Sequence, residues 1–278
     1  MKPVDNRRMC PQCRAFITTD DKICPYCNTA VAPKPYVRKT PSDALGGLIP
    51  HARFITMLIL LINTGMYLAT VLYSTRTEAH GGGLELDGQT LALFGAKWVP
   101  GILAGQWWRF ITAGFLHGGI MHILMNTWVL FDLGAQVEET YGGSRYIVLY
   151  LVSTVTGFLA SFYWSPTLSI GASAGLCGLI GAMIALGVRD RSSFGAGMRR
   201  HYIQWAIYIL MIGLLPFFAV DNAAHIGGLA GGFIVGYIAG TPGFSTAIER
   251  IWQIAAGVAV AVTGLAFYNV FMSVLSAK

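Results

Sequence analysis

Residues 54–73 read FITMLILLINTGMYLATVLY, an apolar stretch without a charged side chain. A helix that spans the hydrocarbon core of a bilayer needs about 20 predominantly apolar residues, which is the length of this stretch. The segment Ile251–Val274, near the end of the chain, is equally free of charge. More than fifty residues precede the first stretch, so we expect a spanning helix there rather than a cleaved signal peptide.

The composition of the whole chain agrees with a membrane protein. Of its 278 residues, 54% are hydrophobic and 12% are charged, whereas a soluble domain carries about a quarter charged residues. The sequence therefore predicts an all-α polytopic membrane protein with seven spans. Between the first and last apolar stretches, five more occur at 118–136, 146–164, 173–188, 202–218 and 224–240.

The distribution of basic residues predicts the orientation in the membrane. Residues 1–53 contain nine Lys and Arg against four Asp and Glu, and residues 189–200 contain four Arg and one Asp. The positive-inside rule places both segments in the cytoplasm, and seven spans then place the C-terminus outside. The net charge of +6 thus reflects topology, and no basic helix with interleaved aromatic residues indicates nucleic-acid binding. We expect a multi-pass protein of the plasma membrane.

Four of the five cysteines form two closely spaced pairs, Cys10–Cys13 in CPQC and Cys24–Cys27 in CPYC. Two C-x-x-C knuckles at this spacing are typical of a structural zinc site. Disulfides fit poorly in a reducing cytoplasm, and a thioredoxin-like motif would need a βαβ unit. We predict a zinc ribbon-like module at 1–32, with a possible cytosolic partner, followed by a basic, proline-containing linker at 33–53.

The second apolar stretch begins FLHGGIMHILMNTW and places three polar residues, His117, His122 and Asn126, near its start. His117 and His122 are five residues apart and do not share a helical face, which argues against a metal pair. His122 and Asn126 are four apart and do share a face. Such a pair of donors suits an oxyanion site, and it suits hydrogen bonds to neighbouring helices equally well.

The fourth stretch opens with SIGASAGLCGLIGA, in which Gly171-x-Ser173-x-Gly175 has the form found around many serine nucleophiles. A Gly- and Ala-rich membrane helix is also a common packing face. The stretch 173–188 is roughly 24 Å long as a helix, against a hydrocarbon core of about 30 Å. We therefore expect Ser173 to be recessed below the membrane surface, under a non-helical loop that contains Pro166 and Gly171.

The sixth stretch begins DNAAHIGGLAGGFIVGYIAG, and His225 is its candidate base. Glycines recur every four residues after it, which allows close approach of another helix. A row of small residues on the fourth stretch is the predicted counterpart: Ser173, Cys177, Gly181 and Ala185. Packing of the two rows would bring Ser173 and His225 within hydrogen-bond reach. The predicted topology places His122, Ser173 and His225 at one depth, which favours a hydrolytic site.

These motifs resemble those of the rhomboid proteases, a family of intramembrane serine proteases, over about residues 95–240. The resemblance rests on four separated motifs, whose order and spacing agree: Trp108–Arg109 in QWWRFITAGFLH; His117, His122 and Asn126 as H-x(4)-H-x(3)-N; Gly171, Ser173 and Gly178; and Ala224, His225, Gly228 and Gly232.

The resemblance implies a catalytic pair of Ser173 and His225 without a third carboxylate and without a cofactor for catalysis. It implies an oxyanion hole of His122, Asn126 and the Ser173 N–H, with Arg109 and Trp108 ordering an outer loop. Substrates would be transmembrane segments of other proteins, cut near small or helix-breaking residues. A six-helix core at 54–243 would be followed by a seventh helix within 244–278.

Several positions depart from the family pattern or admit a second role. Ala174 stands where a glycine usually follows the serine, so its methyl is expected beside the oxyanion hole. Cys177 stands where some members carry an aromatic residue, and it is either a site-lining thiol or a small buried hydrophobe. Asp221 is a conceivable triad acid, although a helix N-cap is favoured. Arg109 could instead contact a substrate anion.

Other functions remain in competition with the protease. A catalytically dead relative would bind membrane clients without cutting them. A transporter or channel would need charged residues along a path through the membrane. In a zinc-sensing membrane protein, the polar residues at the outer ends of the spans would be incidental. We further expect Phe217 and Phe218 to help close the site.

Overall fold

The computed structural model describes residues 7–10, 12–18, 21–31, 53–76, 85–215, 220–243 and 245–276. The chain divides into two compact units, Met1–Leu48 and Ile49–Lys278. Apart from Arg53, the predicted linker at 33–53 lies outside the described residues, as do Phe217 and Phe218.

The first unit is built on a short hairpin and two matching turns. Strand β1 (Arg7–Met9) pairs antiparallel with β2 (Phe16–Thr18), with Met9 opposite Phe16. In each C-x-x-C segment, the N–H of the residue after the second cysteine donates to the carbonyl of the first cysteine. These bonds run from Arg14 to Cys10 at 3.0 Å and from Asn28 to Cys24 at 2.9 Å.

The second unit is an assembly of helices. A 3-10 turn at Ala113–Phe115 follows the short helix Arg109–Thr112, and a π-helical turn at Leu130–Gly134 joins the helix Ile120–Val129 to the helix Ala135–Trp164. In chain order, the helices are α1 (Phe54–Arg76), α2 (Gly88–Leu93), α3 (Val99–Leu103), α4 (Arg109–Thr112), α5 (Ile120–Val129), α6 (Ala135–Trp164), α7 (Ser173–Arg189), α8 (Ser193–Ile212), α9 (Asn222–Ala239) and α10 (Thr246–Ser276).

The predicted all-α polytopic fold is confirmed. Three helical runs in the described part are long and apolar enough to cross a membrane: Phe54–Arg76, Ile120–Trp164 and Thr246–Ser276. The run Ile120–Trp164 holds two predicted spans, which we expected to be separated by residues 137–145. The structure instead continues the helix to Gly142, whose φ of +75° breaks it at one residue, because glycine adopts positive φ without steric cost.

Helix α7 forms the centre of the bundle. Every side chain from Ala174 to Ala185 is buried, and α7 packs against α6, α8 and α9. The many Gly and Ala residues of α7 allow these neighbours to approach closely. Ser173, at the first position of α7, is therefore held by a helix that is enclosed by protein on all sides.

The contact between α7 and α9 matches the predicted row only in part. A Cβ added to Gly228 would lie 2.1 Å from the carbonyl oxygen of Ala174, and one added to Gly232 would lie 1.9 Å from that of Gly178. The closest contacts of α7 therefore run through Ala174 and Gly178. Of the predicted row, Gly181 also meets α9, since a Cβ there would lie 2.1 Å from the carbonyl oxygen of Leu229. One residue along a helix is a rotation of about 100°, and this rotation leaves Ser173 at the edge of the contact.

Helix α1 is anchored to α6 through one buried carboxylate. Glu138 accepts hydrogen bonds from the backbone N–H groups of Ile55 and Thr56, at 2.8 and 2.9 Å, and from the Thr56 hydroxyl at 2.8 Å. The first N–H groups of a helix have no partner within the helix. Glu138 thus caps α1 from a position more than eighty residues away in the sequence.

Helix α10 is joined to α6 by an ion pair. The guanidinium of Arg145 donates to both carboxylate oxygens of Glu249, at 2.6 and 2.9 Å, and stacks over the ring of Trp252. The ring of Phe267 packs edge-on against Phe115 further along α10. The seventh apolar helix therefore packs against the bundle at two separated levels.

Candidate active site

The structure brings Ser173 and His225 together. Ser173 Oγ lies 2.9 Å from His225 Nε2, a normal hydrogen-bond distance. Ser173 begins α7, and His225 lies in the first turn of α9. Ser173 is partly exposed and His225 is buried, so the hydroxyl can be reached while the imidazole is held by its surroundings.

Asp221 caps α9 rather than pairing with the imidazole. Its carboxylate accepts a hydrogen bond from the N–H of Ala224 at 3.1 Å and a second one from the hydroxyl of Ser161. His225 Nδ1 is buried and has no hydrogen-bond partner among the described residues. The N-cap interpretation of Asp221 is therefore the one that the structure bears out.

Gly171 brings the ring of His122 close to the serine. Gly171 has a φ of +122°, and a Cβ at this position would lie 2.7 Å from His122 Nε2 and 3.6 Å from Ser173 Oγ. Its N–H donates to the carbonyl of Ala113 at 2.9 Å, which fixes the loop before α7. His122 Nε2 and Ser173 Oγ consequently border the same small space.

Asn126 lies one turn after His122 on α5, as the spacing predicts. Its side-chain amide donates to the backbone carbonyl of His122 at 3.0 Å, and the side chain is buried. This bond uses one of the two amide hydrogens. The second hydrogen remains available to another acceptor.

His117 does not lie on the second apolar helix, contrary to the prediction. It precedes α5, which begins at Ile120, and is fully buried. Glycines at 118 and 119 explain the late start of α5, because glycine is unfavourable in a helix. The ring of His117 packs edge-on against that of His122, with 5.1 Å between the ring centroids, and so supports it.

Arg109 holds the loop that precedes the site. Its guanidinium donates to the carbonyls of Ala92 and Ala96, at 2.7 and 2.8 Å, and to the side chain of Gln106 at 2.6 Å. Arg109 is buried, and these contacts support loop anchoring over contact with a substrate anion. Trp108, the residue before Arg109, packs against the main apolar core.

Lys97 is a residue that the sequence interpretation missed. It is fully buried, and its ammonium donates to the carbonyls of Ser165 and Thr167, at 2.5 and 2.7 Å. Its backbone pairs with that of Ser169. Lys97 thus ties the first loop to the one that leads into Ser173. The available signal was a lone lysine in the apolar segment LFGAKWVPG.

The two departures from the family pattern have identifiable surroundings. The methyl of Ala174 lies in an apolar cluster with Ala113, Phe158 and Ala224. A Cβ added to Gly157 of α6 would lie 2.8 Å from it. These contacts show how the methyl packs, and its expected place beside the oxyanion hole stays a prediction. Cys177 is buried and unpaired, in agreement with the small-hydrophobe interpretation.

The first unit contains the cluster of four cysteines. The Sγ atoms of Cys10, Cys13, Cys24 and Cys27 all lie within 4.8 Å of one another. Tetrahedral zinc with Zn–S bonds of about 2.3 Å separates its sulfurs by about 3.8 Å, so these positions fit the ion. A hydrogen bond with the Thr29 hydroxyl lowers the pKa of Cys27 to about 6, and the Cys13 N–H lowers that of Cys10.

Together, the fold and the site define a polytopic helical membrane protein with a Ser–His pair between its central helix and a glycine-rich helix. Residues 104–242, half of the chain, match the Rhomboid domain model. The chain belongs to the rhomboid family.

Named relatives agree with this assignment. The chain is 37% identical to Rhomboid protease GluP of Bacillus subtilis (strain 168), over 67% of this chain and 37% of the relative. It is 36% identical to RHOMBOID-like protein 6, mitochondrial, of Arabidopsis thaliana, over 54% and 49%. It is 34% identical to Rhomboid-like protease 3 of Toxoplasma gondii, over 55% and 60%. The match thus spans less than two thirds of each relative.

Proposed function

We propose that this chain is an intramembrane serine endopeptidase that cuts transmembrane segments of other membrane proteins. The observation that carries the proposal is the 2.9 Å hydrogen bond between Ser173 Oγ and His225 Nε2. A serine hydroxyl is a weak nucleophile until an adjacent base takes its proton. His225 is placed to do so when Ser173 Oγ attacks the scissile carbonyl carbon.

Attack converts the carbonyl oxygen into an oxyanion, which needs hydrogen-bond donors in place before the reaction. His122 Nε2, the free hydrogen of Asn126 Nδ2 and the Ser173 N–H are the proposed donors. The proximity of His122 to Gly171 and Ser173 supports the first of these. The Ser173 N–H is available because the first N–H groups of a helix have no partner within it.

The protonated His225 then gives its proton to the leaving amine, and the peptide bond breaks. The acyl group remains on Ser173 Oγ. A water molecule hydrolyses this ester, with His225 again accepting the proton. Because Asp221 is engaged at the helix N-cap, the proposed mechanism uses two residues rather than a triad.

The length of α7 supports a cut inside the membrane. Its 17 residues span about 26 Å, less than the hydrocarbon core of about 30 Å. Ser173, at one end, therefore lies below the membrane surface. A substrate helix must unwind to present its backbone there, which favours segments with small or helix-breaking residues near the cut.

Two further proposals concern the rest of the chain. The excess of Arg and Lys before α1 and after α7 supports a cytoplasmic N-terminus, and we propose the plasma membrane as location. Cys10, Cys13, Cys24 and Cys27 would hold a structural zinc ion that stabilises the first unit. This module, at 1–32, is the proposed docking site for a cytosolic partner.

The direct test is cleavage of a single-span reporter helix in liposomes. We expect the wild type to cut it and both Ser173→Ala and His225→Ala to be inactive, with unchanged thermal unfolding. A wild type that cuts none of several reporter helices contradicts the proposal. Cutting that survives Ser173→Ala contradicts the assignment of the nucleophile.

A further inference from the structure

Two adjoining cavities lie between α8 and the run from α5 to α6. The first has a volume of 140 Å³ and the second 560 Å³, and both are lined by Gln136, His201 and Tyr202. Helix α7 contributes Ile180 to the first cavity, and Met183 and Leu186 to the second. We call this pair of cavities the α8 groove.

Two acidic residues line the α8 groove. Asp132 lines the first cavity and Glu139 the second, and both side chains are exposed. His201 is the one basic side chain among the lining residues in the described part. Neither carboxylate forms an ion pair with another described residue. Arg53, close to Asp132 in the fold through its neighbour Phe131, stacks over the ring of Phe131.

The carboxylate of Asp132 is held in place by its neighbours. Tyr202 donates to the Gln136 side-chain oxygen at 2.8 Å, and the Gln136 amide donates to Asp132 at 3.0 Å. Asp132 lies in the π-helical turn, a distortion that is frequent at functional sites. Trp128 and Trp205 also line the first cavity, and tryptophan faces attract cations.

The α8 groove lies at a defined distance from Ser173. At a rise of 1.5 Å per residue, Ile180 is about 10 Å from Ser173 along α7, and Leu186 is about 20 Å away. A substrate helix that lies outside the α8 groove and parallel to α7 covers the same distance in about 7 to 13 residues. The two carboxylates therefore face a substrate position well away from the cut.

We propose that the α8 groove binds a Lys or Arg side chain of the substrate. This side chain lies about 7 to 13 residues from the cut, counted from the cut into the part of the substrate helix that is embedded in the membrane. This inference rests on the proposed function. Transmembrane helices commonly carry Lys and Arg where they leave the membrane, and the long side chains extend along apolar surfaces to place their charge. An apolar floor with carboxylates on one wall complements such a side chain.

A phospholipid is the less suitable occupant. Its phosphate would face the carboxylates of Asp132 and Glu139, and no Lys or Arg lines the α8 groove in the described part of the chain. A phosphate would therefore be repelled by these carboxylates. A basic side chain in the first cavity instead meets the carboxylate of Asp132 and the rings of Trp128 and Trp205.

The test uses single-span reporter helices in which one Lys is moved from 4 to 16 residues beyond the cut, with Gln at the same positions as reference. Liposomes of a zwitterionic lipid hold the full chain. We expect the Lys reporter to be cut about fivefold faster than the Gln reporter at 7 to 13 residues, and equally fast elsewhere. Asp132→Asn should bring the ratio to about one, whereas Asp190→Asn, outside the α8 groove, should keep it.

Binding of the reporter to the Ser173→Ala variant separates the two proposals. Energy transfer between a label on the reporter and a label on the variant measures this binding. Lys-dependent binding without any cleavage by the wild type would sustain the groove and overturn the protease. Cleavage and binding that ignore the Lys position would overturn the groove alone. Charge exchange is the second variant pair: Asp132→Lys should favour a Glu reporter over the Lys reporter, and an unchanged preference for Lys would contradict the proposal.

Discussion

Gly232 packs directly on the backbone of Gly178, so that a methyl on Gly232 would lie 1.9 Å from the Gly178 carbonyl oxygen. This contact joins α9, which carries His225, to α7, which carries Ser173. The separation of the two helices at this point therefore controls the distance between hydroxyl and imidazole.

We predict that Gly232→Ala lowers stability and activity together. Backbone atoms of α7 cannot rotate out of the way as a flexible side chain would, so the helices must separate at a cost of about 1–3 kcal/mol. Thermal unfolding in detergent and reaction of Ser173 with a fluorophosphonate probe measure the two effects. Gly257→Ala is the control, because a Cβ there has nothing within 4 Å. If the Gly232→Ala variant reacted with the probe as fast as the wild type, the role of this contact would be contradicted.

Gly171→Ala should reduce the cleavage rate about a hundredfold, the order expected for disturbing an oxyanion donor. The added methyl would meet His122 Nε2 at 2.7 Å, in a backbone conformation with φ of +122°. Gly105→Ala separates the two causes, since Gly105 has a φ of +90° but open space around its Cβ. If both variants lose activity equally, backbone strain rather than displacement of His122 explains the loss.

Lys97→Met should slow cleavage and loosen the loop at 165–172. The substitution removes two hydrogen bonds from a charged donor to the carbonyls of Ser165 and Thr167. Such bonds contribute about 1.5–3 kcal/mol each, and less at Thr167, which is exposed. Hydrogen exchange of the loop and the probe-labelling rate of Ser173 report the effect. Arg76→Met is the control variant, because it also removes a cationic side chain, but at the exposed end of α1. Unchanged exchange at 165–172 would show that Lys97 does not hold this loop.

Glu249→Gln should weaken the attachment of α10. Removing one partner of a buried ion pair costs about 3–5 kcal/mol. Because the Glu249 side chain retains 28% exposure, we expect a smaller loss of stability than a fully buried pair would give. A double-mutant cycle with Arg145→Gln, read by thermal unfolding, isolates the interaction between the two side chains. A coupling energy near zero would mean that the Phe115–Phe267 contact holds α10 without help from this pair.

Metal analysis tests the cysteine cluster. We expect about one zinc ion per purified chain, with loss of the ion in Cys10→Ser and Cys24→Ser. Cys177→Ser provides the control, since Cys177 is buried in α7, outside the cluster. Zinc-free wild-type protein prepared without chelators would contradict the site.

The long helices were predictable from sequence because a membrane helix must satisfy its backbone hydrogen bonds within itself, so that each span is one apolar run. An exception is α8, which covers Ser193–Ile212 where 202–218 was predicted. Ser173, His225, His122 and Asn126 stood out for the complementary reason, as polar residues in those runs. Lys97 and Glu138 did not, because their partners are 68 to 83 residues away in the chain. The predicted row on α7 was only partly right: Gly181 does contact α9, but the closest contacts lie one residue along, at Ala174 and Gly178, because residue spacing defines a helix face only approximately.

The enclosure of α7 has a consequence for the choice of lipid. When a helix is shorter than the hydrocarbon core, the surrounding bilayer thins or the helix shifts. The free-energy cost increases with each ångström of mismatch. Helix α7 is surrounded by α6, α8 and α9, so its 17 residues meet little lipid. We therefore expect the neighbouring helices, rather than the lipid, to set the proposed depth of Ser173. The same recess should persist when the protein is moved between membranes of different acyl-chain length.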